Sequence, residues 1–247
     1  TDVLRLAVPP RHATVEKQTP IEPEPLRTQS VDVSGWARYN RSEQFLAALG
    51  ERRAARAVWQ VLPGEAWAQR LAEAAAVTAY AGHGVLAVLP DQRAVDALYR
   101  ATLGHLPASR VVALSAGLGP SERYRRWLAV LRGHARVVIG TRSAVFAPVA
   151  DLGLLLVWDD GDDNLAEPRA PYPHAREVAM LRAHQLRCAA IIGGYSRTAE
   201  AHALVRTRWA HDLVAPRPVV RAAAPRVVAV EDSGYAQVRD PAAHSAR

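Results

Sequence analysis

Residues 61–68, VLPGEAWA, follow a short apolar run (AVWQV, 57–61) and open an alanine-rich helical pattern. That is where an α/β fold holds a nucleotide phosphate, at the first strand-to-helix turn. A working loop of the form G-x-x-x-x-G-K-[ST] needs glycines so that backbone N–H groups can wrap the phosphates, a lysine for the terminal phosphates and a hydroxyl for magnesium. With Gly64 on the first glycine of a G-x-G-K-T ending, Glu65 follows, Ala66 replaces the second glycine, Trp67 the lysine and Ala68 the hydroxyl residue. The only lysine of the chain, Lys17, lies in a proline-rich segment far from this turn. On its residues alone, 61–68 reads as a tight turn that opens a helix. A second group follows LGLLLV (152–157): Trp158, Asp159, Asp160, Gly161, Asp162 and Asp163. At this place a nucleotide hydrolase carries one acid for the metal and another that polarises the attacking water. The aspartates could hold a hard cation through oxygen ligands, or form a solvated turn that caps the strand.

The elements that must position these residues alternate. Apolar runs occur at 57–61, 85–90, 110–115, 135–141, 152–160 and 188–194, separated by helical patterns over 65–82, 92–104, 120–133 and 174–187, with 198–210 closing the series. An earlier helix is predicted from Ser42 through Ala57, with Ser42 as its cap and Glu43 in the first turn, where the helix dipole favours an acid. Apolar runs without strict alternation are strands covered on both faces, and the intervening helices supply right-handed crossovers. The prediction is a parallel sheet sandwiched by helices. Residues 1–38 hold prolines at 9, 10, 20, 23 and 25 and read as an extended linker or arm; 39–215 form the α/β lobe; 216–247 return to irregular chain with at most one strand, RVVAV (226–230). The opening TDVLRLAV has no start-like character and points to a chain cut from something longer.

Composition narrows the partners. The net charge is +7, and every basic residue but Lys17 is arginine. Arginine donates bidentate hydrogen bonds to phosphate, so the excess fits a nucleic-acid partner; GC-rich coding, which raises Arg and Ala together, explains it equally well. One cysteine, Cys188, excludes an internal disulfide and a multi-cysteine zinc site within the chain. No apolar run approaches the roughly 18 residues of a membrane span, and no secretion signal is visible at the N-terminus, so the expected compartment is the cytoplasm, with no membrane partner.

The stretch SAGLGPSERYRRWLAVLRGHARVVIGTRSAVFAPVADLGLLLV (115–157) resembles the helicase core of primosomal protein N′, the PriA-type replication restart family, with G-T-R-S-A-[LV]-F followed by P-x-x-x-L-G-L as the most specific part. VLAVLPD (85–91), YPHAREVAMLRA (172–183) and DVLRLAVPPRH (2–12) match as well. The resemblance implies the first RecA-like lobe of a P-loop NTPase-type, superfamily 2 helicase. It also implies ATP and magnesium as family cofactors, with zinc in a second lobe that this chain does not contain; none is expected in this chain. The implied partners are branched-fork and single-stranded DNA and the primosome or helicase-loading proteins.

The departures from the family pattern carry as much weight. Where active members have D-E-x-H, this sequence has Trp158, Asp159, Asp160 and Gly161; where they have G-S-A-T-P it has Gly193, Gly194, Tyr195, Ser196 and Arg197. The aromatic-rich loop is reduced to NLAEPRAPYPHAR. With the turn at 64–68, four nucleotide-linked motifs have decayed on an intact scaffold, as in a degenerate, high-GC actinobacterial-type member. The expectation is a DNA-binding and assembly component of replication restart without ATPase or helicase activity; the alternative is an active ATP-dependent 3′ to 5′ DNA helicase. By resemblance, Thr141, Arg142 and Ser143 are the phosphate contacts and Arg123, Arg125 and Arg126 accessory charge. The competing readings are a salt bridge that pins the loop for Arg142, and a solvated helix face for the other arginines. Trp67 and Trp158 are expected to pack on one another in the nucleotide pocket, and His174 and Arg176 to stabilise their loop rather than bind metal.

Overall fold

The computed structural model describes residues 8–19, 22–115 and 117–226. Seven strands, β1 (Arg56–Gln60), β2 (Gly84–Val88), β3 (Val111–Leu114), β4 (Val137–Gly140), β5 (Leu152–Trp158), β6 (Ala189–Gly194) and β7 (His211–Leu213), form one sheet in the order β3-β4-β2-β5-β6-β1-β7. Every pairing is parallel. Eight α-helices are described: α1 (Ala13–Glu16), α2 (Ser42–Gly50), α3 (Trp67–Tyr80), α4 (Gln92–Leu103), α5 (Pro120–Leu131), α6 (Ala175–Gln185), α7 (Ala199–Arg206) and α8 (Arg217–Ala223). Every residue of β2, β4, β5 and β6 is buried, as strands covered on both faces must be. One core layer gathers α3 and α4 with the inner faces of β1, β2 and β5, and the other gathers α6 and α7 with the opposite faces.

The six apolar runs are six of the strands, each within a few residues of its expected ends. The seventh, HDL, is too short to show a pattern. The helix predicted from Ser42 to Ala57 stops at Gly50, and the chain from Arg53 to Ala55 turns into β1 instead. Ser42 is not the cap: Arg41 occupies that position with a φ of 62°, without a side-chain capping bond, and Ser42 is itself buried in the first turn. Glu43 does lie in that turn.

Part of the segment read as an arm is core. Trp36, on a 3-10 turn at Ser34–Arg38, is 1% exposed and packs on Trp59, with ring centroids 4.8 Å apart. On the other side, α8 places Val219 and Ala223 against the same core, within the region read as linker. RVVAV lies, from Val227 on, outside the described residues. Among the described residues no helix is long and apolar enough to cross a membrane.

Candidate functional site

The carboxyl ends of β1, β6 and β5 are neighbours, so three turns meet there: 61–66, 195–198 and 159–163. Gly64 adopts a φ of 71°, a left-handed conformation that costs glycine little, and this folds Leu62 to Glu65 into a tight turn closed by the Glu65 N–H on the Leu62 carbonyl at 3.1 Å. Ala66 and Ala68 supply neither conformational freedom nor a hydroxyl there. α3 then begins at Trp67 with no side-chain cap.

Trp67 stacks on Trp158, centroids 4.2 Å apart and planes 10° from parallel. Tyr195 stands edge-on to Trp158 at 5.7 Å, with its hydroxyl 3.5 Å from the Glu65 carbonyl. Behind them Trp158 meets Trp59 at 6.1 Å, and Trp59 meets Tyr39 at 5.6 Å. Offset stacked and edge-on rings are the favoured aromatic arrangements, each contributing about 0.5–1.5 kcal/mol beyond the area they bury. A continuous aromatic column therefore runs from the core to the surface through the place where a nucleotide hydrolase keeps its lysine and its first acid.

Glu65 is the unexpected member. Its side chain is 3% exposed and accepts from Arg38 and from the Tyr39 hydroxyl, the latter at 2.9 Å, with Arg70 Nε 3.7 Å from its other oxygen. The Tyr39 hydroxyl accepts in turn from the Leu62 N–H at 3.1 Å, and Arg70 also pairs with the buried Glu73 at 2.9 Å. Burial pushes the Tyr39 phenol up to about 12 and raises the Glu73 carboxyl above its ordinary range. The turn is thus clamped from behind by residues 36–39. The only local hint in the sequence was a tryptophan and a tyrosine in the otherwise polar SGWARYN.

The acids after β5 diverge. Asp159, at a φ of 54°, is half-buried; burial and then the carboxylates of Asp162, Asp160 and Asp91 raise its pKa. Asp160 is buried and turned inward, accepting from Arg176 Nη1 at 2.9 Å and Thr198 Oγ1 at 2.7 Å. Asp162 accepts from the Asn164 N–H at 2.8 Å. The oxygens of Asp160 and Asp162 therefore serve ion-pair and turn geometry, and among the described residues no group of three or more His, Cys, Asp or Glu side chains converges as a metal site would. His174 caps α6, its Nδ1 accepting from the Arg176 N–H at 3.1 Å, and burial first, then the adjacent Arg176 charge, lower its pKa.

The other candidates lie beyond β4 and on α5. Gly140 closes the strand where an added Cβ would sit 2.5 Å from both the Leu114 carbonyl oxygen and Ala144 Cβ, so the following turn folds directly onto the sheet. Thr141 precedes the 3-10 turn Arg142–Phe146, which buries Ala144 and Val145 and leaves Thr141, Arg142 and Ser143 partly exposed. Arg142 reaches Glu167 at 3.0 Å and the Asn164 carbonyl at 2.8 Å, the loop-pinning arrangement, while its side chain keeps 31% exposure. From α6, Arg182 donates to the carbonyls of Val145 and Ala147 and holds the turn from below. On α5, Arg125 and Arg126 both pair with Glu122, and Arg126 also donates to the Ala113 carbonyl at 2.8 Å. Arg123 borders a small cavity shared with Ser143, Trp127 and Pro9. Arg123 and Ser143 are therefore brought together, whereas Arg126 is tied to the sheet.

This architecture is a RecA-like fold, shared with solved helicase structures. RecG bound to a three-way DNA junction matches with a TM-score of 0.52 at 13% identity, over 97% of this chain and 31% of that one. A DEAD box protein from Methanococcus jannaschii matches with a TM-score of 0.52 at 10% identity, over 71% of this chain and 49% of that one. At such identities the likeness is one of fold. No family model matches the chain. By sequence it is 69% identical over 246 residues to the probable replication restart protein PriA of Mycobacterium tuberculosis (strain CDC 1551 / Oshkosh), and 68% identical over 249 residues to that of Mycobacterium leprae (strain TN). Each alignment covers 100% of this chain and 38% of the relative's length. The replication restart protein PriA of Bacillus subtilis (strain 168) is 34% identical over 95 residues, covering 38% of this chain and 12% of that protein. Over its whole length the chain is thus similar to a segment of the replication restart protein PriA.

Proposed function

We propose that this chain is the non-hydrolytic, DNA-contacting lobe of a cytoplasmic replication restart protein, a pseudo-helicase that engages branched or single-stranded DNA and helps assemble the primosome. The observation that carries the reading is the turn after β1, where a buried carboxylate, Glu65, and a stacked indole pair occupy the position of a phosphate cradle. A triphosphate needs cationic side chains, backbone N–H groups and a metal to offset its charge. Here the arginines nearest the turn, Arg38 and Arg70, are engaged by Glu65 and Glu73. Burial first, and then the carboxylates of Asp162, Asp160 and Asp91, disfavour the charge on Asp159, and those carboxylates also repel a polyphosphate. No ATP–magnesium cofactor is assigned to this lobe.

DNA contact rests on the exposed rim beyond β4. Thr141, Arg142 and Ser143 sit on a turn braced by Glu167 and Arg182, and Arg123 and Arg125 extend the basic surface along α5. Contacts of this kind set affinity and salt dependence rather than sequence preference. The test is DNA-stimulated ATP hydrolysis by the full-length protein containing this lobe. The expected result is no turnover above background with forked DNA present, while the fork binds in a salt-sensitive manner. DNA-stimulated turnover above background would establish an active ATPase and end the reading.

A further inference from the structure

The two edges of the sheet are treated differently. At the β3 edge the N-terminal arm lies alongside, with Arg110 donating to the carbonyls of Glu24 at 2.7 Å and Pro23 at 3.2 Å. At the other edge, among the described residues, β7 pairs only with β1, and beyond its end the Asn40 N–H on the Val214 carbonyl at 2.9 Å ties the edge to the chain before α2. Cavities of about 590 and 490 Å³ flank β7, and both are bordered by Arg41, His211 and Asp212. The floor of the larger is aliphatic and aromatic, with Phe45, Ala48, Ala57 and Leu213. The rims are basic: Arg41 and Arg56 border the larger cavity and Arg208 the smaller, and among the described residues none of the three forms an ion pair. Asp212, the acid on this strand, is already paired with Arg197.

Unpaired strand edges bind extended peptide through main-chain hydrogen bonds, with flanking pockets reading alternate side chains. We propose that the β7 edge is a docking groove for an extended acidic segment of another protein, which adds as a strand with apolar side chains on the floor of the larger cavity and carboxylates, on the other face, against Arg41 and Arg208. Nucleic acid fits less well. A base needs an open aromatic face, and the Trp209 ring is covered by the Arg56 guanidinium at 4.4 Å. The backbone donors and acceptors of a strand edge complement another strand, not a phosphodiester. The inference is independent of whether the lobe hydrolyses ATP.

The test titrates the 247-residue chain into a fluorescein-labelled decapeptide of alternating Asp and Val, read by anisotropy, with an alternating Lys–Val peptide and a single-stranded oligonucleotide as comparators, and follows amide exchange at 211–213. The expected result is saturable binding of the Asp–Val peptide that slows exchange at those amides, and a tenfold or greater loss of affinity in Arg41→Glu and in Arg208→Glu at unchanged melting temperature. Arg142→Ala leaves that affinity unchanged. Equal binding of the Lys–Val peptide, unaltered affinity in both charge-reversed variants, or displacement by the oligonucleotide would overturn it. So would concentration-dependent self-association abolished by Arg41→Glu, which would make the occupant a second copy of the chain.

Discussion

The turns after β1 and after β4 lie at the same carboxyl end of one parallel sheet and are built in opposite ways. After β1 the polar groups face inward: Glu65 is buried against Arg38, Tyr39 and Arg70, and the Trp67–Trp158 stack fills the space beyond the strand. After β4 the apolar groups face inward, with Ala144 and Val145 buried, and Thr141, Arg142 and Ser143 stay at the surface on a turn braced by Arg182. The first turn contributes stability and offers a ligand little; the second contributes less and offers a charged rim. On the proposed reading, a RecA-like scaffold can give up its phosphate chemistry when the volume beyond the strand is repacked, because close packing and charge pairing, not the ligand, then keep the strand ends in register.

The contrast is broken most severely at Trp158. Trp158→Ala removes a buried indole touching Trp67, Trp59 and Tyr195, and should lower the unfolding free energy by about 3–5 kcal/mol in urea titrations. A loss below about 1 kcal/mol would show that the column is not a stabilising element. An intermediate effect is expected at Tyr39, whose neutral phenol is favoured in the folded chain, with a folded pKa of about 12 against an ordinary 10.0. Because the folded value is the higher one, this contribution is complete below pH 10, is lost as the pH rises through 12, and amounts to on the order of 2 kcal/mol. Tyr39→Phe should flatten the fall in stability across that window; an unchanged alkaline profile would remove Tyr39 as its source. The smallest effect on stability belongs to Arg142→Ala, about 1 kcal/mol for a part-exposed ion pair, seen as a small shift in melting temperature. Its effect on fork binding should be larger than on folding, with the slope of log affinity against log salt reduced by about 1. An unaltered slope would leave Arg142 with only its role in pinning the loop.

The candidate site was partly legible. The absence of lysine, second glycine and hydroxyl at 66–68 is a statement about residue types and needs no coordinates. The contact between Trp67 and Trp158 was expected from their placement after two strands of one sheet, although β6 lies between β1 and β5 and the stack reaches across its end. The role of Glu65 was not legible: its partners Arg38 and Tyr39 straddle the boundary expected between an arm over 1–38 and the lobe, and the local pattern does not show Trp36 in the core. Ser42 failed as a cap for a related reason. The chain before α2 is held by Asn40 on Val214, which drives Arg41 into the capping position with a left-handed backbone and sends Ser42 inward.

Residue order alone was enough for the alternation of buried strands and amphipathic helices, and hence for a parallel layered sheet, because burial on both faces leaves a local imprint in every apolar run. It was also enough for the loss of phosphate-binding side chains. The strand order, the exposed β7 edge, the clamp on Glu65 and the pairing of Arg142 with Glu167 were settled only when the chain closed on itself. Each joins residues distant in sequence, and no local pattern encodes which charged side chain will meet which. The partner is chosen by the packing that brings them together.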